Sequence, residues 1–435
     1  MKIKGLNEEK IKQISKFKGE DNKTLNYRLN CYKLFKETPL PKFGPTINLN
    51  FDNINYYQTR EDNLTDNWNN ITNDTKDELT SLGVISSEKY LDGIGVQYQS
   101  EVIYHNMLKE LEEKKVIFTS IENAFINHRD LIDKYFSKIV KPNENKFTAL
   151  NGAVFSGGSF IYIPPTTKLN RPLQSYFRIS SKDLGQFERT LIIVDDNSSL
   201  HYVEGCTAKS YSTSNLHAAV VEIYVGKNST CRYSTIQNWA TNVYNLVTKR
   251  ALVEENGTME WIDGNIGSHK TMKYPCCVLK GDNSKGTCIT ISVAKKDQHQ
   301  DSGARMIHLG KNTTSNIISK SIASLSGKAD FRGEVRIEKE ATNSSSIVKC
   351  DTLILDKSSS SDAYPINTVK NKSSNIEHEA TVSKISEEKL FYLMSRGLTK
   401  DQATDLIVLG FTDEFKKELP MEYAVELNQL LKQNL

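Results

Sequence analysis

From about Phe147 onward the chain stops repeating its apolar residues at helical spacing. Short apolar, β-branched runs take over. Leu191-Ile192-Ile193-Val194, Ala219-Val220-Val221-Glu222-Ile223-Tyr224-Val225 and Ile289-Thr290-Ile291-Ser292-Val293 each read as a strand. Small polar turns separate them, and these turns resemble one another. They are centred on Asn197, Asn228, Asn256, Asn283, Asn312 and Asn343, which lie 27 to 31 residues apart. Two further turns, at 356–359 and 371–374, follow at about half that interval. A strand-turn-strand unit that cannot bury its own apolar face has to stack on a neighbour, so the recurrence predicts a β-solenoid over 146–384. An antiparallel sandwich with hairpins of equal length is the other solution to the same pattern.

The flanks read differently. Residues 1–145 form a mixed, largely helical region. Asn7 caps a first helix. Apolar residues recur at helical spacing from Ser100 to Leu111 and again from Ile121 to Phe136. The stretch 45–80, rich in Asn, Asp and Thr, reads as a long surface loop. Residues 385–435 return to helix. Ser386 opens one helix that closes at Gly397, Thr399 opens a second, and Met421 to Leu431 form a third. Such helices are expected to cap the solenoid, whose open end otherwise exposes core and unpaired edges.

Composition narrows the function. The 435 residues carry a net charge of only +3, which argues against a dedicated nucleic-acid binder. No apolar stretch approaches the roughly 20 residues of a membrane span. Met1-Lys2-Ile3-Lys4-Gly5-Leu6 has neither the apolar core of a secretory signal nor the Arg- and Ser-rich texture of a transit peptide. The Asn, Lys and Ile bias points to an AT-rich genome. A plastid or apicoplast stroma if the chain is organelle-encoded, or else a bacterial cytoplasm, fits these features. Seven cysteines without a CxxC pair argue against a disulfide framework or a self-contained zinc or ferredoxin site. Cys31, Cys231, Cys276, Cys277 and Cys288 read as small buried hydrophobes in a reducing compartment.

Three segments carry chemistry: Gly205-Cys206-Thr207-Ala208, Lys349-Cys350-Asp351-Thr352 and Ile376-Glu377-His378-Glu379-Ala380. Thiolate, imidazole and carboxylate are iron ligands, and thiolate also carries persulfide. Strand alternation puts Glu377 and Glu379 on one face and His378 on the other. Cys350 and His378 are 28 residues apart, close to the turn interval, which stacks them at similar positions on adjacent coils. By composition alone, Gln298-His299-Gln300-Asp301 reads as a polar turn. No GxxxxGK[ST] nucleotide loop is present.

The residues resemble the SufB family in order along the chain. The resemblance is carried by Ser175-Tyr176-Phe177-Arg178-Ile179, Gly185-Gln186-Phe187-Glu188-Arg189-Thr190, Tyr202-Val203-Glu204-Gly205-Cys206 and Tyr233-Ser234-Thr235-Ile236-Gln237-Asn238-Trp239. It continues through Val247-Thr248-Lys249-Arg250, Met306-Ile307-His308-Leu309-Gly310, Cys350-Asp351, Glu377-His378-Glu379-Ala380-Thr381 and Glu418-Leu419-Pro420-Met421-Glu422. It is continuous from about 145 to 430 and weaker before. It implies a mainly β protein with a right-handed parallel β-helix core, an N-terminal mixed region and a C-terminal helical cap. It implies a scaffold, not an enzyme, on which a transient iron-sulfur cluster of the four-iron type is built. The implied partners are a SufC-type ATPase, a SufD-type paralogue, and the cysteine desulfurase SufS with its SufE-type carrier as sulfur donors. By motif, Cys206 takes up sulfur and Cys350 holds the nascent cluster, with Glu377, His378 and Glu379 beside it. Arg178, Gln237, Trp239 and Lys249 match residues lining the path between the two cysteines. The helices after Ser386 are expected to meet the ATPase through Leu390, Phe391, Leu406 and Ile407, unless these four simply pack within the helical segment. A cysteine that many relatives carry after the Tyr162-Ile163-Pro164 strand is missing here. A SufD-like structural paralogue is the alternative within the family, and Cys350 with Glu377-His378-Glu379 favours the scaffold. A secreted carbohydrate-active or adhesive solenoid is the third reading, and the N-terminus offers it no export signal.

Overall fold

A computed structural model describes residues 2–59 and 64–417, with 424, 427, 430 and 431 beyond them. Two sheets face each other along one axis. The first is ten-stranded and ends at Asn375–Lys384. It is followed in space by Ser345–Ile354, Thr314–Ala323, Lys285–Ala294, Thr258–Gly267, Thr230–Trp239, Ser199–Ala208 and Leu173–Ile179. The second runs from Ala363–Val369 through Lys328–Ile337, His299–His308, Lys270–Lys273, Val243–Val253, Val220–Val225 and Arg189–Val194 to Ser159–Ile163. All of these pairings are parallel, which is a solenoid and not the sandwich.

The repeat that betrayed the fold has a physical cause. Asn197, Asn228, Asn256, Asn283, Asn312 and Asn343 all sit at φ of 54–60°. Asn tolerates this left-handed conformation far better than bulkier residues do. Several also bond coil to coil, as when Asn228 Nδ2 donates to Asn197 Oδ1 at 3.1 Å and Asn256 Nδ2 to Asn228 Oδ1 at 3.0 Å. The corner is therefore a ladder of amides, and its rung spacing is the sequence period.

The flanks depart from the sequence reading in two places. Glu101–Met107 is a strand, antiparallel to Gly93–Tyr98, and Gly93–Tyr98 pairs in parallel with Leu173–Ile179. The solenoid thus begins before residue 146, and the apparent helical period from Ser100 gives way to the demand of an otherwise bare sheet edge. Only Lys109–Glu113 of that stretch is helical. Within 45–80, the helix Asn73–Ser81 and the strand Asn55–Gln58 replace much of the expected loop. The helix expected over 421–431 falls largely outside the described residues.

The C-terminal helices Glu387–Ser395 and Lys400–Phe411 flank the solenoid along its side. Val408, Phe415, Leu427, Leu430 and Leu431 are buried against Val203, Ile236, Ile262, Ile289, Ile291, Ile322 and Leu353, on the outer face of the first sheet. That face is apolar and needs a cover. The final coil is left exposed: Ile366 is 51% and Val382 50% accessible. No helix among the described residues is long and apolar enough to cross a membrane.

Candidate functional site

Parallel register lines up equivalent residues of successive coils, so each inward position becomes a column. On the inner face of the first sheet, Cys206 pairs with Gln237, then Asn265, Ser292, Ser321 and Thr352. Two residues earlier along each strand, Glu204 pairs with Thr235, Asp263, Thr290, Ser319 and Cys350. All twelve side chains are buried. Every one carries a polar or thiol group, in the place where a solenoid ordinarily stacks aliphatic residues. The next column, Tyr202, Tyr233, Trp261, Cys288, Ile317 and Val348, is the apolar one, and its rings pack at centroid distances of 5.0 and 5.2 Å. The interior is thus divided lengthwise into an apolar core and a polar strip, with Cys206 near one end of the strip and Cys350 near the other. Five strand steps of about 4.8 Å separate them by roughly 24 Å along the axis.

Cys206 sits where its strand meets an exposed turn at 209–214. Gly205 precedes it because a Cβ there would lie 2.7 Å from the Tyr176 ring. The thiol is 1% exposed, donates towards Glu204 Oε1 at 3.6 Å and accepts from Gln237 Nε2 at 3.9 Å. Burial and the carboxylates of Glu204 and Glu188 push it well above the ordinary thiol range, against the pull of Lys249 and Lys273. Gln237 accepts in turn from Asn245, whose Oδ1 lies 2.7 Å from His217 Nδ1. The other nitrogen of His217 lies 2.8 Å from Glu188. Trp239, buried, packs its ring at a tilt against His217, with centroids 4.6 Å apart. The second sheet sends Lys249 and Lys273 into the strip. Lys249 Nζ lies 3.5 Å from Asp263 and 3.8 Å from Glu204, and Lys273 Nζ lies 2.9 Å from Asp263.

Arg178 is placed elsewhere. It shares its sheet face with Thr207, not with Cys206. Its guanidinium donates to Thr207 Oγ1 and pairs with Glu78 at 2.7 Å. Against the desolvation that would raise it, the hydrogen bonds from Tyr98 and Arg178, the Arg178 charge and Lys209 hold the Glu78 carboxyl down at about 2. The geometry gives Arg178 the task of docking the N-terminal region against the sheet rather than of touching the cysteine.

Cys350 is buried, with its thiol pushed up to about 12, first by desolvation and then by Asp351. The 28-residue spacing falls two short of the register here, since Cys350 pairs with Ala380 and His378 with Val348. His378 therefore lies diagonally from Cys350 on the adjacent strand, about 8 Å away between Cα atoms. It turns inward, 6.5 Å from the Phe331 ring, and its Nε2 is buried without a hydrogen-bond partner. Burial lowers its pKa, so the ring stands neutral with a lone pair available. Glu377 and Glu379 point outward and are exposed. Of the two arrangements that alternation left open, the structure brings His378 to Cys350's face. A half-buried imidazole whose Nδ1 meets Asn367 at 3.4 Å and whose Nε2 has no hydrogen-bond partner, beside a buried thiol, is a donor set that suits a soft or borderline metal.

The remaining cysteines are all buried and free. His299 and Asp301 lie in the strand His299–His308 instead of a turn. Asp301 is already held by Arg332 at 2.9 Å and Tyr274 at 2.8 Å, and His299 by Asp330 at 2.8 Å. A groove of about 780 Å³, lined by Phe43, Tyr274, Arg250 and Arg305 among others, opens on the outer side of the second sheet and reaches neither Cys206 nor Cys350. Sequence reading missed Glu204, Asp263 and Lys273 as parts of the strip. Their inward parity within recognised strands was the available signal.

Two family models match the chain: "SUF system FeS cluster assembly, SufBD core domain" over 177–411 and "SufBD protein N-terminal region" over 96–175. The iron-sulfur cluster assembly protein SufB of Bacillus subtilis is 52% identical over 99% of this chain and 93% of its own length. An iron-sulfur cluster assembly SufBD family protein of Staphylococcus saprophyticus is 54% identical over the same shares. A counterpart in Staphylococcus aureus (strain USA300) is 53% identical, again over 99% and 93%. A polar strip joining two cysteines inside a parallel solenoid and this agreement along nearly the whole sequence lead to one conclusion: the chain belongs to the SufB family of iron-sulfur cluster assembly proteins.

Proposed function

We propose that this chain is the scaffold subunit that receives persulfide sulfur at Cys206, passes it inward and assembles a nascent cluster at Cys350. The observation that carries the reading is the pair of polar columns running from Glu204 and Cys206 to Cys350 and Thr352. A buried strip of amides, hydroxyls and ions costs stability relative to an aliphatic core, and passage of a polar species accounts for it. Iron and sulfur are here the cargo. Cys350 supplies a thiolate once iron displaces its proton, and His378 an imidazole. So few ligands from one chain make a loosely held cluster of the transient kind, whose four-iron composition rests on the family resemblance. Anaerobic reconstitution of the purified chain with ferrous iron and sulfide is expected to give charge-transfer absorption and a cluster Mössbauer signature. A chain that stays colourless alone and with its partners overturns the reading.

The partners are assigned by surface. Among the described residues, the final coil leaves the edges of Ala363–Val369 and Asn375–Lys384 unpaired at the end nearest Cys350 and His378, which suits strand addition by a SufD-type paralogue. Of the four helical candidates, Leu390 is buried and Ile407 half-buried, while Phe391 and Leu406 are 75% and 49% exposed, beside Tyr392 and Met394. This apolar face is assigned to the SufC-type ATPase, which supplies the nucleotide chemistry that this sequence has no loop for. Phe391→Asp with Leu406→Asp is expected to abolish co-purification with the ATPase while leaving thermal melting unchanged, since both side chains face solvent. Undiminished co-purification would reassign that face. SufS and the SufE-type carrier approach the turn at 209–214 beside Cys206.

A further inference from the structure

The polar strip contains more charge than a conduit between two thiols needs. Four ionised side chains meet within it: Glu204, Asp263, Lys249 and Lys273, none more than 6% exposed. Asp263 is the hub. It accepts from Thr235, pairs with Lys273 at 2.9 Å and faces Lys249 at 3.5 Å. Lys273 also donates to Asn265 at 3.0 Å and lies 3.4 Å from Thr235 Oγ1. Glu204 accepts from the Tyr233 hydroxyl and from the Cys206 thiol. The ammonium of Lys249 lies over the Tyr233 ring at 4.4 Å and makes no hydrogen bond among the described residues, although it is buried. The four charges sum to zero while Cys206 is a thiol. The two carboxylate neighbours of Lys249 stand off at 3.5 and 3.8 Å; a buried ammonium so loosely paired is costly, and a further anion would complete its coordination.

We propose that Lys273, held by Asp263, acts together with Lys249 as a positioning residue that binds the negatively charged outer sulfur of a persulfide on Cys206 and draws it to the inward side of the strip. The proposal rests on the reading that Cys206 accepts sulfur. In that step Cys206 gives its proton to Glu204. The thiolate attacks the outer sulfur of the donor persulfide, one S–S bond forms on Cys206 and one breaks in the donor. The donor leaves as a thiolate that takes up the proton, and no electrons are gained or lost overall. The new persulfide is more acidic than the thiol it replaces and releases its own proton through Glu204 to solvent. An uncompensated negative charge then stands in a dry interior. Lys249 is one cation for it, and Lys273, one strand deeper on the second sheet, is the other. Lys273 is tuned for such a visitor: burial pulls it down to about 8 despite Asp263, so an added anion restores its charge fully at neutral pH. The pair therefore favours the sulfur pointing along the axis, away from the surface turn and towards Cys350.

The test compares the full-length chain with its Asp263→Asn/Lys273→Met variant, which removes one charge of each sign and leaves the buried net charge unchanged. Both are loaded anaerobically with cysteine persulfide, and loading is read as added sulfur on the Cys206 peptide by mass spectrometry. The ionisation of that persulfide is then followed by its near-ultraviolet absorbance against pH. The variant is expected to melt close to the parent but to ionise at least about one pH unit higher, a tenfold smaller anion fraction on the acid side of the midpoint. Lys273→Gln, whose amide still donates to Asp263, makes the same comparison should the double variant not fold. Superimposable titrations overturn the role of Lys273 while leaving sulfur uptake at Cys206 intact. Absence of added sulfur on Cys206 in the parent overturns the uptake reading itself, and this inference with it.

Discussion

Cys350→Ala protein, reconstituted with iron and sulfide in the presence of its partners, is expected to show no cluster absorption while remaining folded. The thiol is buried in the apolar cluster with Val348 and Phe331, so losing one sulfur atom costs about 1 kcal/mol, far less than unfolds a domain with a core of this size. Cluster loss without unfolding separates a ligand from a packing residue. The companion substitutions discriminate among the neighbours. His378→Ala is expected to reproduce most of the loss, because His378 alone of the three shares Cys350's face and presents an unpartnered Nε2. Glu377→Ala and Glu379→Ala are expected to leave the absorption of the isolated chain unchanged, because both carboxylates point to solvent. A normal cluster on Cys350→Ala protein means the assembly site lies elsewhere. Loss in either glutamate variant means that the last strand rearranges on assembly, turning its outward face to a partner.

The solenoid was legible because its cause is local. A left-handed turn residue is a sequence feature, and one Asn per coil writes the period directly into the chain. Strand parity was equally readable, and it correctly opposed His378 to Glu377 and Glu379. Register was not. The interval from turn to turn averages coils of unequal length, so a spacing of 28 suggested alignment of Cys350 with His378, where the actual pairing offset of 30 makes them diagonal neighbours. Arg178 shows a second limit. Its motif matched the residues along the sulfur path, but sheet parity turned it to the opposite face, onto Glu78, which lies 100 residues earlier in the N-terminal region. Nothing local in either sequence segment announces that pair. The strand Glu101–Met107 was hidden for a related reason: its pattern fits both periods, and only an exposed sheet edge elsewhere decides between them. Glu204, Asp263 and Lys273 each look unremarkable in their own strands. They acquire meaning only when parallel stacking brings the inward positions of different coils together.

The sulfur route predicts a selective defect. Cys206→Ser is expected to abolish cluster formation driven by the desulfurase and its carrier, while reconstitution with free sulfide proceeds as in the parent. The substitution is nearly isosteric. The hydroxyl can still donate to Glu204, which lies 3.6 Å from the native sulfur, and accept from Gln237, so neither partner is left bare. What is lost is the nucleophile, since a serine hydroxyl does not ionise in this range and forms no persulfide. Free sulfide bypasses the entry point and needs only the iron-binding end, roughly 24 Å away by strand spacing. The two assays therefore diverge if uptake and assembly occupy opposite ends of the polar strip. Equal loss in both makes Cys206 a structural residue or a cluster ligand. Full retention of carrier-driven assembly means that sulfur enters by another route. Gln237→Leu sharpens the distinction. It keeps Cys206 but severs the link to Asn245, and it is expected to permit sulfur loading on Cys206 while slowing its arrival at Cys350, as followed by the mass of each cysteine peptide over time.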